Sequence, residues 1–305
     1  MSSVVSTDEK FSGHESFVCR YGWLRKAYDG VSNNARIFTD VDMAIVSLGV
    51  GSNMVKSMEF WGKAFEVIAP VDKKSRQYSV TPFGRAMLDL KSGKDPYLED
   101  LGSLWLLHWK LVTRANLAAW NLVFQELQEW RITQSRLIEM LHRRGRRNGA
   151  PLVESTVKQH LEMLLHTYTT TASANLRALE ESLGSPLQEL GLLSRRETDG
   201  ISKDTVIEIK IGPKLSLPAE VFLVCVVDHW NRMGGGASIS LQEIMFGHLS
   251  PGVVFKLDEA SVIEYLSRIP DITDQLTYQD GALIRGLQLR RTVKLEDVRK
   301  RLRFA

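Results

Sequence analysis

The stretch "TDVDMAIVSLGVGSNMVKSMEFWGKAFEVI", which begins at Thr39, constrains the fold most, because it holds two helical repeats parted by a glycine break. Thr39 and Asp42 stand at capping-box spacing, and Val41, Ala44, Ile45 and Leu48 form an apolar side behind them. Gly49-Val50-Gly51 interrupts that helix, and Ser52 or Asn53 is expected to cap the next. Met54, Met58, Trp61 and Phe65 then recur at spacings of 4, 3 and 4, so they share one helix face. The pattern predicts a helix-turn-helix. The adjoining segment, "FEVIAPVDKKSRQYSVTPFGRAML", reads as strand, basic turn, strand and helix, with Val67 and Ile68 before the turn and Tyr78 and Val80 after it. A hairpin in that place is the wing of a winged helix, with Lys73, Lys74 and Arg76 at its tip.

Two further modules are expected. Residues 97 to 130 read as helices dense in tryptophan and leucine, and aromatic residues at helical spacing belong to a core. A second helix-turn-helix is suggested by "ITQSRLIEMLHRRGRRNGAPLVESTVKQHLEMLLHTY", with Leu137, Ile138 and Leu141 on one stripe and Val157, Leu161, Leu164 and Leu165 on the other. Residues 172 to 193 read as short helices. A third unit starts near the strand "VIEIKI", continues through an apolar helix, a "GGG" break and two helices, and closes with "QLTYQDGALIRGLQLRR" as a hairpin. The expected class is mainly α with small β wings (α+β): tandem winged-helix and helix-turn-helix modules joined by helices. The expected divisions are 1–95 for the N-terminal segment plus winged helix, 96–195 for the helical domain, and 196–305 for the C-terminal winged-helix-like domain.

Composition bears on partners. Net charge is +3, so a nucleic-acid partner is allowed and local clustering must decide. On the second helix of the first module Asn53, Lys56, Ser57 and Lys63 lie off the apolar stripe, and the wing adds its three cations. In the second module Arg143, Arg144, Arg146 and Arg147 stand close to a helix that carries Lys158 and Gln159. Cations concentrated in two places on a nearly neutral chain are the footprint of a protein that grips a DNA backbone. Cys19 and Cys225 are far apart with no CxxC pair, which excludes zinc-finger and thioredoxin readings and suits free thiols in a reducing cytoplasm. The start "MSSVVSTDEK" lacks the apolar region of a secretory signal. The most apolar run, in "AEVFLVCVVDHW", is about ten residues against the roughly 20 that a bilayer span needs. A cytoplasmic protein with no membrane partner is expected, and self-association is left open.

No complete catalytic constellation is visible. Glycine-rich "GVGSN" and "GGGAS" lack the P-loop lysine, and no GxGxxG or GxSxG occurs. Glu208-Ile209-Lys210 has the E-x-K spacing of restriction-type nucleases, but Asp199 and Asp204 sit too near to serve as its upstream acid. Asp228, His229, Asn231 and His248 share residue types with histidine-asparagine-histidine nucleases without their spacing. A third cluster lies in "FSGHESFVCRYGWLRKAYDG". There His14 can titrate near neutrality, Glu15 can orient it or hold a cation, and Arg20 can hold a scissile phosphate. Phe11, Phe17, Trp23 and Leu24 in the same stretch suit packing against the first module. A divalent metal is expected only if the chain is a nuclease.

The F-x-G-H-E-x-F-x-x-R-x-x-W-L-x-K pattern of that stretch, with the L-G-V-G-x-N-M-V turn at Leu48, resembles the SspB-like family of bacterial Ssp-type DNA phosphorothioation and phage-defence clusters. That family was formerly a domain of unknown function. The resemblance spans nearly the whole chain. It implies a component that acts on double-stranded DNA beside a cysteine desulfurase, an ATPase and a phosphosulfate-reductase-like protein, with a strand nick exposing the backbone for sulfur. A DNA-nicking endonuclease is one expectation. A non-catalytic DNA-binding adaptor or transcriptional regulator is the other. Assigning catalysis to His14, Glu15 and Arg20 rests on their residue types within the signature.

Overall fold

The structure is a computed structural model that describes residues 9–72, 76–147, 152–169, 184–197, 204–281, 285–290 and 293–302. It is a mixed α and β protein with small antiparallel sheets, divided into two compact units, Met1–Lys210 and Ile211–Ala305. The expected first and second domains therefore fall within one compact unit. Among the described residues no helix is long and apolar enough to cross a membrane.

The first unit opens with α1 (Trp23–Asn33), a 3-10 turn at 37–39, α2 (Val41–Leu48) and α3 (Ser52–Ala64). The cap of α2 is Asp40, whose carboxylate accepts the Met43 amide at 3.0 Å, while the Thr39 hydroxyl turns back to the Arg36 carbonyl at 2.7 Å. Gly49 ends α2 at φ 65°, a conformation glycine enters without strain. Neither Ser52 nor Asn53 caps α3: Gly51 precedes it and both are already helical. Strands β1 (Ile68–Pro70) and β2 (Tyr78–Val80) pair antiparallel with Ile68 opposite Val80, as the pattern predicts. The hairpin is tied to the end of α1 by the Tyr78 amide, which donates to the Ala35 carbonyl at 2.8 Å. Thr81 caps α4 (Pro82–Leu88) by accepting the Gly84 amide at 2.8 Å.

The centre of this unit is α5 (Leu101–Arg114) and α6 (Ala118–Asn121), the latter running into a π-helical turn at 122–126. Trp105, Trp109, Trp120 and Phe124 are at most 1% exposed, so the expected aromatic core exists. It reaches the first module through Trp61, whose ring meets Trp120 edge-on at 6.2 Å. His108 of α5 is buried, its Nδ1 2.8 Å from the Tyr168 hydroxyl.

The unit ends with β3 (Arg131–Thr133), α7 (Gln134–Arg147), α8 (Glu154–Tyr168), a 3-10 turn at 186–190, β4 (Leu193–Glu197) and β5 (Thr205–Ile209). The short helices expected at 172–193 lie mostly outside the described residues. The sheet order is β3-β5-β4, all antiparallel. The strand "VIEIKI", expected to open the third domain, is the middle strand of this sheet. Its Ile207 pairs with Ile132 on one side and Arg195 on the other, so the apolar alternation of β5 fills the first unit.

The second unit holds α9 (Ala219–Arg232), β6 (Ser238–Ser240), α10 (Leu241–Phe246), α11 (Pro251–Val254), α12 (Glu259–Ile272), β7 (Leu276–Asp280), β8 (Arg285–Leu289) and α13 (Leu295–Arg301). The expected closing hairpin is β7 with β8, Leu276 opposite Leu289. Its sheet order, β6-β8-β7, repeats that of the first unit: a strand, helices, then a hairpin whose last strand returns beside the first.

Close approach between α4 and β1 supplies a stability test. A Cβ on Gly84 would lie 2.3 Å from the Val67 carbonyl oxygen, a backbone atom that cannot move aside. Gly84→Ala is expected to destabilise the protein by about 1–3 kcal/mol, read as a lower urea midpoint with an unchanged slope.

Candidate functional site

The signature stretch forms a loop before α1 that turns inward at His14. Gly13, Glu15 and Ser16 all have positive φ (109°, 49° and 63°), and the Phe17 amide closes the turn on the His14 carbonyl at 3.0 Å. This geometry drives the His14 ring inside, to 3% exposure, and leaves Glu15 exposed with no hydrogen bond or ion pair among the described residues. The loop is fixed to α3 by the Phe17 carbonyl, which accepts from Trp61 Nε1 at 2.8 Å and from the Ser57 hydroxyl at 3.3 Å.

Inside, His14 stacks on His160 of α8, ring centres 5.7 Å apart and planes 16° off parallel. Phe60 meets His14 edge-on, and Phe11 and Trp120 pack against His160. His160 Nε2 accepts the Ala119 amide at 3.2 Å, and His14 Nδ1 accepts the Ser16 amide at 3.3 Å. The inner nitrogens, His160 Nδ1 and His14 Nε2, are 3.4 Å apart. Apolar walls surround both rings, and taking an imidazolium out of water disfavours the charged form. Burial therefore pushes His14 down to about 4 and His160 down to about 3, the latter helped by its neighbour. Reading the sequence for catalytic residue types passes over His160, although its place on the Val157, Leu161, Leu164 stripe marks it as inward.

Arg20 lies on aromatic faces, its guanidinium carbon 5.9 Å from the Phe17 ring centre and 5.8 Å from that of Trp23. The three expected catalytic residues are thus dispersed: His14 inward, Glu15 into solvent, Arg20 on its rings.

The expected DNA-binding residues divide in the same way. Asn53 and Lys56 are exposed on α3. Ser57 is fully buried with its hydroxyl spent on Phe17, which removes it from any duplex contact. Lys63 is exposed but bonded to Glu59 at 2.7 Å, over the Tyr78 ring. Arg76 is exposed, while Lys73 and Lys74 lie outside the described residues. On α7, Arg143 is exposed and 2.9 Å from Glu139, and Arg146 is exposed; the side chain of Arg147 lies outside the described residues. Arg144 is buried, paired with Glu9 and, at 2.7 Å, with Glu126, so it is a structural ion and not a phosphate contact. On α8, Lys158 is exposed and bonded to Glu154 at 2.6 Å, and the Gln159 amide donates to the Ser16 hydroxyl.

The other nuclease candidates resolve into structural pairs. Glu208 bonds Ser194 at 3.3 Å and Arg196 at 3.2 Å across the sheet. Asp204 accepts from Ser135 at the start of α7, and Asp199 lies outside the described residues. His229 is buried with Nε2 3.1 Å from Glu243, and Asp228 pairs with Arg232 at 3.4 Å, while Asn231 and His248 are exposed. Among the described residues no three His, Cys, Asp or Glu side chains form a group able to hold a metal ion.

The chain belongs to the DUF4007 family, described as a protein family of unknown function, whose match covers residues 11–302. It is SspB-like in structure. A magnesium ion-bound crystal structure of SspB has a TM-score of 0.83 at 30% identity, covering 97% of this chain and 89% of that one. A further SspB crystal structure has a TM-score of 0.81 at 31% identity, covering 97% and 87%. No curated protein matches alongside these.

The buried groups set two measurable expectations. The histidines bind protons more readily unfolded, near their ordinary 6.5, than folded, so their contribution is complete above pH 6.5 and is lost as pH falls towards about 4. Chemical denaturation across that window is expected to show a shallower loss for His14→Gln/His160→Gln than for the wild type. Separately, Arg144→Ala leaves buried Glu9 unpaired and is expected to cost about 3–5 kcal/mol. Its duplex affinity, measured at a temperature where it is folded, should match the wild type.

Proposed function

We propose that this chain is the DNA-binding component of a bacterial DNA phosphorothioation and anti-phage defence system, introducing or presenting strand nicks for sulfur incorporation. The observation that carries the reading is the SspB-like structure over 97% of the chain. Its partners on this reading are double-stranded DNA, a cysteine desulfurase, an ATPase and a phosphosulfate-reductase-like protein, in the cytoplasm.

The repeated order of strand, helices and returning hairpin supports reading the second and third modules as winged helices, and the β1–β2 hairpin after α2 and α3 supports the same reading of the first. In the first, α3 offers Asn53 and Lys56 to the duplex, beside a wing carrying Lys73, Lys74 and Arg76. In the second, the usual groove-facing helix is α8, but its Gln159 and His160 are engaged by the signature loop. Contact then shifts to the outer side of α7, with Arg143 and Arg146. Phosphate contacts of this kind set affinity and its salt dependence without reading sequence.

A second reading, a non-catalytic adaptor or regulator, is favoured by the burial of His14 and the dispersal of Glu15 and Arg20. Incubation of supercoiled plasmid with the chain and magnesium or manganese separates the two. Nicking that disappears in Glu15→Ala or Arg20→Ala supports catalysis at the loop, and nicking retained in both removes the loop from the chemistry. No nicking, with salt-sensitive duplex binding, leaves the adaptor.

The charge reading has its own test. Arg143→Glu/Arg146→Glu is expected to weaken duplex binding and to lower the slope of log affinity against log salt by about 0.9 for each phosphate no longer neutralised. Unchanged affinity in a gel shift would reject the α7 surface.

A further inference from the structure

Six of the seven tryptophans are between 0% and 4% exposed, and the seventh, Trp130, is 59% exposed. The other tryptophans between residues 97 and 130 lie in the core, so this ring stands apart from its own segment. Its backbone is not loose: the Trp130 carbonyl accepts the Ile209 amide at 2.7 Å, just ahead of β3, the edge strand of the sheet. The backbone beneath the indole is therefore fixed at a sheet edge, and the ring is offered to solvent.

Its surroundings are charged. The Arg131 guanidinium lies over the ring, 5.8 Å from its centre. Lys210, next along from Ile209, is exposed. Across the outer face Arg131 is opposite Glu208, and Glu208 is opposite Ser194 and bonded to Arg196 at 3.2 Å. Arg131 and Lys210 are thus the cations carried at this edge of the sheet, with Glu129 preceding the ring and Glu208 paired to Arg196 of β4. An exposed indole with a guanidinium over it and a second cation on the neighbouring strand matches the way proteins hold unpaired bases, by stacking on the ring while cations track the backbone.

We infer that Trp130, with Arg131, is a stacking platform for an unpaired DNA base, through which the chain grips single-stranded DNA. This rests on the DNA-binding reading and deepens it: α3 and α7 hold the duplex, and the β3 edge takes the strand freed beside a nick or opening. The platform tolerates any base, because every base presents a π face.

Trp130 can be followed directly, because iodide, a quencher confined to solvent, reaches it and not the six buried rings. The full chain is titrated with an oligo-dT strand of about 12 nucleotides, within the range one such site covers, and separately with a duplex of the same length. The strand is expected to quench the iodide-accessible emission and to shield it from iodide. Trp130→Ala should weaken strand binding about tenfold or more, the usual effect of removing a stacked ring, with duplex affinity unchanged, and Trp130→Phe should keep most of it. Equal strand affinity in Trp130→Ala overturns the inference, as does equal shielding by the duplex. Iodide access that persists in the strand-saturated complex also overturns it, and leaves the ring to a protein partner. A wild type that binds neither nucleic acid sinks the DNA-binding reading itself. A wild type that binds duplex, with strand affinity unmoved by Trp130→Ala, sinks the platform alone.

Discussion

Trp61 is the residue on which the first unit depends. Its indole N–H holds the Phe17 carbonyl of the signature loop, its ring packs on Phe60 and Phe65 beside it, and its far edge meets Trp120 of the central helices. One side chain thus joins the loop, the first module and the core. It also shares with the Ser57 hydroxyl the task of satisfying that part-buried backbone acceptor. Burying so large a ring is favourable in itself, but the direction of its single donor fixes where the loop lies. From that anchor the chain runs back through Ser16 and His14 onto α8, so the loop is pinned at both ends.

The loop's chemistry comes from how it is pinned. Two imidazoles in apolar surroundings, each with one nitrogen occupied by a backbone amide, form a pair that is stable only while neutral. That makes His14 a packing residue with polar specificity: it must find His160 and the Ser16 amide, and no apolar side chain could do both. Glu15 and Arg20 are placed by the same turn but away from it.

Much of the architecture is legible in the sequence because periodicity records burial. The stripe Met58, Trp61 and Phe65 and the stripe Val157, Leu161, Leu164 and Leu165 are buried, and the hairpins at Ile68–Val80 and Leu276–Leu289 form where alternation and turn residues place them. Two things are not legible. The strand of Ile207 is apolar on one side wherever it pairs, and nothing local states that its neighbours are Ile132 and Arg195, one of them far away in the chain. The fate of a polar residue depends on the element packed over it: Ser57 looks like a helix-surface donor until the Phe17 carbonyl arrives, and His160 like a stray histidine until His14 does. The exposure of Trp130 is hidden for the converse reason, since an aromatic at the end of a core helix run carries no mark that the next element is an edge strand.

The run "HRRGRRNG" shows how far residue counting differs from a surface. Successive residues on a helix are turned by about 100°, so four arginines within five positions cannot share one face. Arg143 and Arg146, three apart, lie together on the outside of α7, whereas Arg144 points into the unit. There it meets Glu9, whose carboxylate also accepts from Asn121 at 2.6 Å, and Glu126. A guanidinium suits this place because its planar fork serves two carboxylates at once and never loses its charge. The same charge type is therefore used twice within one turn: inside, to fasten the segment before the signature loop onto the central helices, and outside, where only the fraction left unpaired can act on a phosphate. Arg143 shares Glu139 with Arg136, both at surface exposure where such bonds are weak, so the ion pairs on the outer face of α7 contribute little to stability.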